Sequence, residues 1–283
     1  MTDSGPGKSA GSVTLGDRTV HRIGLGTNRV TNTPAVREIL RRAVDLGVDL
    51  VDTADVYQHG SSEETIGEAL PPTTADVVVA TKGGLIRTEQ GYAPDGRPEH
   101  LSHAFEESLR RLRRDRVDLY YLHRVDPRVP IEESLGTLRD LQKQGRIRHI
   151  GVSNVTVPEL ERARRVVTVV AVQNRFNVFE REHEEVLRYC EVHSIPFVPW
   201  FPLFRGKLEQ SKPLNLVAQK RGVTPHQVAL AWLLRRSSVM LPIPGTLSER
   251  HLEENLAAAD LALDEDEARS LDACSLPPGD RAE

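Results

Sequence analysis

Short apolar runs alternate with longer amphipathic stretches along almost the whole chain. The apolar runs are rich in β-branched residues and are apolar on both faces, which is typical of parallel strands covered by helices on both sides. Eight such runs are present, at residues 23–27, 49–54, 77–82, 117–123, 147–153, 169–174, 196–200 and 239–244. A hairpin at residues 13–20, with Gly16 and Asp17 at its turn, is predicted to precede them.

The stretches between the apolar runs have the helical period and the usual helix boundaries. Pro34 opens the first of them and Gly47 follows its end, the common placement of proline and glycine at the two ends of a helix. We predict helices at residues 34–46, 63–70, 98–114, 131–144, 157–165, 180–193, 224–235 and 248–259. This alternation of strands and helices favours an α/β fold, a (β/α)8 or TIM barrel with an N-terminal β-hairpin.

An open, doubly wound sheet is the main alternative to the barrel. When that fold binds a dinucleotide, it carries a GxGxxG turn after its first strand. Here residues 24–29 are Gly-Leu-Gly-Thr-Asn-Arg, which lacks the third glycine. We therefore expect one barrel domain over residues 13–271, with a flexible N-terminal tail at 1–12 and a short C-terminal tail at 272–283.

Composition narrows the possible partners. The chain has 283 residues, 28% of them charged, and a formal net charge of −4. This mild acidity gives no reason to expect nucleic acid or an anionic membrane as a partner. Cys190 and Cys274 are the only cysteines and have no CxxC spacing, so neither a metal site nor a disulfide framework is expected. Because no leader-like segment or membrane-length apolar run occurs, we expect a cytoplasmic location.

Polar side chains end five consecutive predicted strands. On a (β/α)8 barrel, the carboxyl ends of the strands form the active site. The residues at these ends are Asp52, Lys82, His123, Ser153, Asn154 and Gln173. A polar residue at one strand end is ordinary, whereas five strands in succession indicate a functional site at one rim of the barrel.

Tyr57 follows Asp52 by five residues, on the loop that leaves the second predicted strand. A phenol titrates near pH ~10 and is a weak acid at neutral pH. Lys82, kept charged by Asp52, would lower that pKa, and His123 would hydrogen-bond a substrate oxygen as it gains charge. Such a set suits general-acid catalysis of carbonyl reduction. Taken singly, each residue also has an ordinary structural explanation, such as a helix cap or a solvated side chain.

Several segments, in this order, resemble the aldo-keto reductase family. They are 52–57 (DTADVY), 62–70 (SEETIGEAL), 79–82 (VATK), 118–123 (DLYYLH), 150–154 (IGVSN), 172–174 (VQN), 243–246 (IPGT) and 251–255 (HLEEN). The similarity extends over about residues 11–265. It implies a catalytic tetrad of Asp52, Tyr57, Lys82 and His123, with Tyr57 as the general acid.

The same resemblance implies a nicotinamide cofactor at the rim. Ser153, Asn154 and Gln173 would bind its carboxamide. Trp200 would stack on the nicotinamide ring, where the family usually has a tyrosine. The pyrophosphate and adenosine ends are implied at Leu203, Gly206, Leu208, Pro244, Gly245, Ser248, Arg250, Glu254 and Asn255. Arg250 suits the 2′-phosphate of NADP(H), so NADP(H) is expected rather than NAD(H), although the adjacent Glu249 has the wrong charge.

We expect a small-molecule carbonyl substrate, a medium-sized aldehyde or ketone, because the loops around the predicted rim leave an open pocket. Two rival functions share the fold. One is a non-catalytic, nicotinamide-binding regulatory subunit, which has no need of the complete tetrad. The other is a Schiff-base aldolase or lyase that uses Lys82 as its nucleophile, which the neighbouring Asp52 disfavours. The natural substrate and the oligomeric state stay open.

Overall fold

The computed structural model describes residues 9–74, 76–204 and 208–275. Six parallel strands form one curved sheet, and each strand pairs with the next strand of the set. In sheet order they are β3 (Leu25–Gly26), β4 (Leu50–Asp52), β5 (Val78–Gly83), β8 (Val117–Leu122), β9 (Ile147–Ser153) and β10 (Val169–Gln173). Almost all of their residues are buried, as expected for parallel strands under a layer of helices.

Residues 196–200 and 239–244 complete the barrel without forming full strands. Phe197 makes single parallel bridges to Val172 and to Met240. The backbone N–H groups of Gly24 and Gly26 then donate to the carbonyls of residues 242 and 244, at 3.0 and 3.3 Å, which closes the ring onto the first strand. The predicted seventh and eighth strands are therefore extended segments. Prolines at positions 196, 199, 242 and 244 lack the N–H groups that a continuous ladder requires.

The predicted N-terminal hairpin is confirmed. It consists of β1 (Ser12–Leu15) and β2 (Arg18–His21), joined by a two-residue turn at Gly16 and Asp17. Leu15 and Val20 are 1% exposed and pack with interior side chains of the barrel, among them Leu50 and Val78 at the start of their strands. The hairpin therefore covers the amino-terminal end of the barrel, opposite the rim that carries the polar strand ends.

Helices form the outer layer. They are α1 (Pro34–Asp45), α2 (Ser61–Ala69), α3 (Pro98–Leu112), α4 (Ile131–Lys143), α5 (Val157–Val166), α6 (Glu184–His193), α7 (Lys212–Arg221), α8 (Pro225–Arg236), α9 (Glu249–Ala257) and α10 (Glu265–Asp272). Thr156 and Thr224 cap α5 and α8 in reciprocal capping boxes. Of the ten α-helices in the described ranges, eight match predicted ones within a few residues.

Helices α7 and α10 were not predicted. α7 has a proline near its start and ends before Gly222, the same boundary signals that identified α1. α10 begins with a capping box between Asp264 and Glu267, and its Leu271 is completely buried. The strand–helix alternation predicts one helix after each apolar run, and the predicted helices at 224–235 and 248–259 already follow the last two runs.

A second hairpin, also missed, extends from the end of β5 at the polar rim. Its strands are β6 (Leu85–Thr88) and β7 (Gly91–Pro94). Its apolar residues are too scattered to form a run like those that identify the other strands. No helix in the described ranges has the length and apolar character needed to span a membrane.

Candidate active site

The carboxyl ends of β4, β5 and β8 bring three residues of the predicted tetrad side by side. Asp52 is the last residue of β4, Lys82 lies in β5, and His123 directly follows β8. Parallel pairing of these strands places the three residues at one rim. Tyr57, the fourth residue, begins the short turn Tyr57–Gly60 between β4 and α2, in which Gln58 and His59 have left-handed backbone angles.

Lys82 is completely buried and donates to two oxygen atoms. Its Nζ is 2.6 Å from Asp52 Oδ1 and 2.6 Å from the backbone oxygen of Thr53. Burial acts to lower the pKa of Lys82, but the adjacent Asp52 carboxylate, together with Tyr57, more than compensates, and the pKa lies above its ordinary value. The amine is therefore charged at neutral pH.

The Tyr57 ring packs against both Lys82 and His123. Lys82 Nζ is 5.0 Å from the ring centroid, and the Tyr57 and His123 ring centroids are 5.9 Å apart. Burial raises the pKa of Tyr57 above its ordinary value, and the opposing effect of Lys82 does not offset it. Lys82 therefore acts on this pKa in the expected direction, but the cost of burying a phenolate is the larger effect and the net direction is upward.

His123 is neutral at physiological pH. Burial first, and then the charges of Lys82 and Arg124, hold its pKa well below the ordinary value. Nδ1 is buried and has no hydrogen-bond partner among the described residues. Nε2 is consequently the ring nitrogen available to a ligand at the rim, and with its proton there the imidazole donates a hydrogen bond.

Ser153, Asn154 and Trp200 form a hydrogen-bonded group at the same rim. Asn154 donates to Ser153 Oγ at 2.9 Å and accepts from Trp200 Nε1 at 3.0 Å. The backbone of Asn154 is left-handed (φ 56°), a conformation that asparagine adopts more readily than most residues. The group presents a partly exposed indole beside amide and hydroxyl groups. These features fit a planar ring that carries a carboxamide.

Gln173, which is also predicted to bind the carboxamide, contacts Asp52 of the predicted tetrad. Its Nε2 donates to Asp52 Oδ2 at 2.9 Å, and the side chain is 2% exposed. The residue predicted to bind a carboxamide thus also holds the carboxylate that pairs with Lys82. The sequence offers no sign of this contact, because 121 positions separate the two residues.

The residues predicted for the pyrophosphate follow the 196–200 segment. Leu203 is partly exposed, whereas Leu208 is completely buried in the core. Only the backbone of Leu208 can therefore face a cofactor. Gly206 lies outside the described residues.

The residues predicted for the adenosine end lie between the 239–244 segment and α9. They are Pro244, Gly245, Ser248, Arg250, Glu254 and Asn255. The Arg250 side chain is 76% exposed, with Nη1 3.6 Å from Glu254 Oε1. Glu249 lies 3.3 Å from Arg42 of α1, which offsets its charge. Glu249 should therefore repel a phosphate at Arg250 less strongly than its position beside Arg250 in the sequence suggests.

Asp55 is an ionisable neighbour of the tetrad that sequence analysis missed. Its backbone N–H donates to the Lys82 carbonyl at 3.2 Å, and its Oδ1 accepts from the Val56 N–H at 2.7 Å. Burial and then the negative charge of Glu63 raise the pKa of Asp55 to about 8. The available signal was an acidic residue set between two apolar ones, Ala54 and Val56.

Comparisons with known proteins agree with this fold. The model of the aldo/keto reductase family matches residues 22–276. An uncharacterized oxidoreductase of Schizosaccharomyces pombe is 42% identical over 93% of this chain and 89% of its own. Pyridoxine 4-dehydrogenase of Escherichia coli is 38% identical over 94% of this chain and 99% of its own.

Solved structures give the same result. An aldo/keto reductase from Klebsiella pneumoniae, in complex with NADP and acetate, superposes with a TM-score of 0.80 at 31% identity. The match covers 92% of this chain and 94% of that one. The protein therefore belongs to the aldo/keto reductase family, whose members are oxidoreductases. The predicted (β/α)8 barrel is confirmed.

Proposed function

We propose that this protein reduces an aldehyde or ketone to the alcohol with NADPH, and that Tyr57 is the proton donor. The observation that carries the proposal is the packing of the Tyr57 ring against Lys82 and His123. These groups come from three separate segments, and structural stability alone does not call for a buried lysine beside a phenol and an imidazole. All three groups lie at the rim of the barrel formed by the carboxyl ends of the strands.

Each residue has a distinct part in the proton transfer. Tyr57, protonated at neutral pH because its pKa is raised, donates its proton to the carbonyl oxygen. The Lys82 ammonium stabilises the phenolate that remains, and Asp52 holds the ammonium in place. His123 donates from Nε2 to the same oxygen and stabilises the charge that develops there. Because Lys82 is charged, it is a poor nucleophile, which argues against a Schiff-base mechanism.

The residues around the rim suit a nicotinamide dinucleotide. A bound NADPH supplies the hydride that reaches the carbonyl carbon. Ser153, Asn154 and Gln173 would hold the carboxamide, and the Trp200 indole would stack on the ring. The exposed Arg250 guanidinium would pair with the 2′-phosphate. The NADP and NADPH bound in the Klebsiella pneumoniae relatives support this choice over NADH.

Pyridoxal is the first substrate to test. The relative from Escherichia coli is named pyridoxine 4-dehydrogenase, and oxidation of the 4-hydroxymethyl group of pyridoxine gives the aldehyde pyridoxal. The experiment follows NADPH absorbance with pyridoxal and a panel of aldehydes and ketones, and repeats each assay with NADH. We expect turnover and a higher kcat/KM for NADPH. Binding of NADPH without turnover of any carbonyl would instead identify a non-catalytic regulatory subunit.

The variant Tyr57→Phe tests the proton donor. It removes the hydroxyl while the ring packing stays, so kcat should fall by roughly 10²–10⁴. The Kd for NADPH, measured by quenching of tryptophan fluorescence, should stay within twofold of the unmodified protein. Unchanged turnover would remove Tyr57 from the mechanism.

A further inference from the structure

Arg87 and Arg124 are exposed arginines at the active-site rim that lack a carboxylate partner within the described residues. Other arginines on the same loops are neutralised. Arg97 pairs with Asp95 at 2.6 Å, and an ion pair of 3.0 Å joins Arg128 to Asp126. The two uncompensated guanidinium groups are therefore a local positive feature on a chain of net charge −4.

Arg87 is held in place by neutral groups. It donates to Nε2 of His59 and to the Tyr92 hydroxyl, the latter at 3.0 Å, and its guanidinium lies over the Tyr92 ring. A guanidinium can only donate, so the His59 nitrogen accepts and its ring is neutral in this contact. These contacts orient Arg87 without cancelling its charge.

Both arginines are close in the chain to the groups proposed to face the carbonyl oxygen. Arg124 directly follows His123, and its charge contributes to lowering the pKa of that imidazole. The side chain that holds Arg87, His59, is two residues from Tyr57. The Tyr57 and His123 ring centroids are 5.9 Å apart, so both arginines belong to segments that adjoin the same part of the rim.

The phosphates of a dinucleotide are not the expected partners of these cations. The proposed phosphate contacts follow the 196–200 and 239–244 segments, the seventh and eighth positions around the barrel. Arg87 follows β5 and Arg124 follows β8, the third and fourth positions. In a closed ring of eight, these two pairs of positions lie on opposite sides. Arg87 and Arg124 are therefore available to bind the substrate rather than the cofactor phosphates.

We propose that Arg124 and Arg87 bind an anionic group, a carboxylate or a phosphate, carried by the carbonyl substrate. The inference rests on the proposed reductase function and specifies its substrate class. A guanidinium binds either group through two parallel hydrogen bonds. The anionic group and the carbonyl must belong to the same molecule, with the carbonyl at Tyr57 and the anion at the outer edge of the rim.

Matched substrate pairs test the proposal with saturating NADPH. The first pair is 4-carboxybenzaldehyde and its neutral methyl ester, and the second is pyridoxal 5′-phosphate and pyridoxal. We expect kcat/KM to be about 5- to 20-fold higher for the anionic member of at least one pair, mainly through a lower KM. A preference in the first pair alone indicates that the site binds a carboxylate, and a preference in the second pair alone indicates a phosphate. Added salt should raise the KM of the anionic member alone.

The variants Arg124→Gln and Arg87→Gln should remove this preference. Each should raise the KM for the anionic member about 5-fold or more and leave the neutral member within twofold. Arg116→Gln is the matched control, because Arg116 is also exposed and lies just before the other end of β8. It should change neither substrate.

Equal kcat/KM for both members of both pairs, or equal losses for the two members in Arg124→Gln and Arg87→Gln, would overturn the proposal. Absence of any turnover would count against the proposed function. In that case, calorimetry of 4-carboxybenzaldehyde and pyridoxal 5′-phosphate with the NADP⁺ complex decides the question. Binding of either that weakens about 5-fold in Arg124→Gln supports the anionic site, and binding that is absent or unchanged by the substitution refutes it.

Discussion

Gln173 donates from Nε2 to Oδ2 of Asp52 at 2.9 Å, in the interior of the barrel rim. The other carboxylate oxygen, Oδ1, accepts from Lys82 at 2.6 Å. The buried carboxylate therefore has a separate donor for each oxygen. Gln173 thus acts as a positioning residue for the charge pair in addition to its proposed contact with the cofactor.

Replacement of Gln173 should expose this role. Gln173→Leu leaves Asp52 Oδ2 without its donor, so the free energy of unfolding should fall by about 1–3 kcal/mol.

Gln173→Glu places a second carboxyl against Asp52, and the pKa of the new group should rise in the folded state. Its protonated form can donate as the amide does, so stability should be retained at acidic pH and lost as pH rises. Urea unfolding at pH 5.5 and pH 8 measures the free energy of unfolding of both variants. An unfolding free energy like that of the unmodified protein in both variants would contradict the assignment.

The buried pair of Lys82 and Asp52 gives a second prediction. Lys82→Met leaves the Asp52 carboxylate buried without its cation, which should cost about 3–5 kcal/mol of unfolding free energy. The double variant Lys82→Met with Asp52→Asn carries neither charge and should be more stable than Lys82→Met alone. Denaturant unfolding of the three proteins measures the difference, and both variants should lack reductase activity. A double variant that is less stable than Lys82→Met would show that the charge of Asp52 is not the source of the loss.

Asp55 makes stability depend on pH. Its pKa is about 8 in the folded protein, whereas an unfolded aspartate titrates near pH ~3.9. Between these values the folded state binds a proton that the unfolded chain has released, so this stabilisation is present at low pH and is lost as pH rises through about 8. In the variant Asp55→Asn, the side chain at position 55 has no ionisable group. The stability of this variant relative to the unmodified protein should increase by about 3–4 kcal/mol between pH 5 and pH 8.

The control for this prediction is Asp76→Asn. The Asp76 side chain is 96% exposed, lies 3.8 Å from Arg18 and precedes β5, at the opposite end of that strand from the rim. Its pH profile of unfolding free energy, measured with urea, should follow that of the unmodified protein. Parallel profiles for Asp55→Asn and the unmodified protein would show that Asp55 does not hold a proton in the folded state.

Two helical glycines should respond in opposite directions to alanine. A Cβ at Gly67 of α2 would lie 2.5 Å from the backbone oxygen of Arg111 in α3, so Gly67→Ala forces the two helices apart and should cost about 1–3 kcal/mol. A Cβ at Gly136 of α4 meets only the end of the Arg139 side chain, at 4.0 Å. Gly136→Ala should therefore stabilise the protein by about 0.5–1 kcal/mol. Thermal or urea unfolding compares the two, and shifts of the same sign would contradict the close approach of α2 and α3.

Much of the architecture was predictable because its signals are local. Apolar runs such as 117–123 identify strands, and proline and glycine identify helix ends such as those of α1. The missed helices α7 and α10 carry end signals of the same kind, but strict alternation predicts only one helix after each apolar run. The segments at 196–200 and 239–244 are apolar as predicted, yet their prolines reduce the pairing to single bridges and carbonyl contacts.

The order of polar strand ends along the chain is enough to predict that Asp52, Lys82 and His123 share one rim. The folded chain is needed for three further features: the contact of Gln173 with Asp52, the raised pKa of Tyr57, and the absence of carboxylate partners for Arg87 and Arg124 among the described residues. The two groups of features differ because the effects behind them act over different ranges. Strand and helix periodicity depends on neighbours in the chain, whereas desolvation and ion pairing depend on which distant segments the closed barrel brings together.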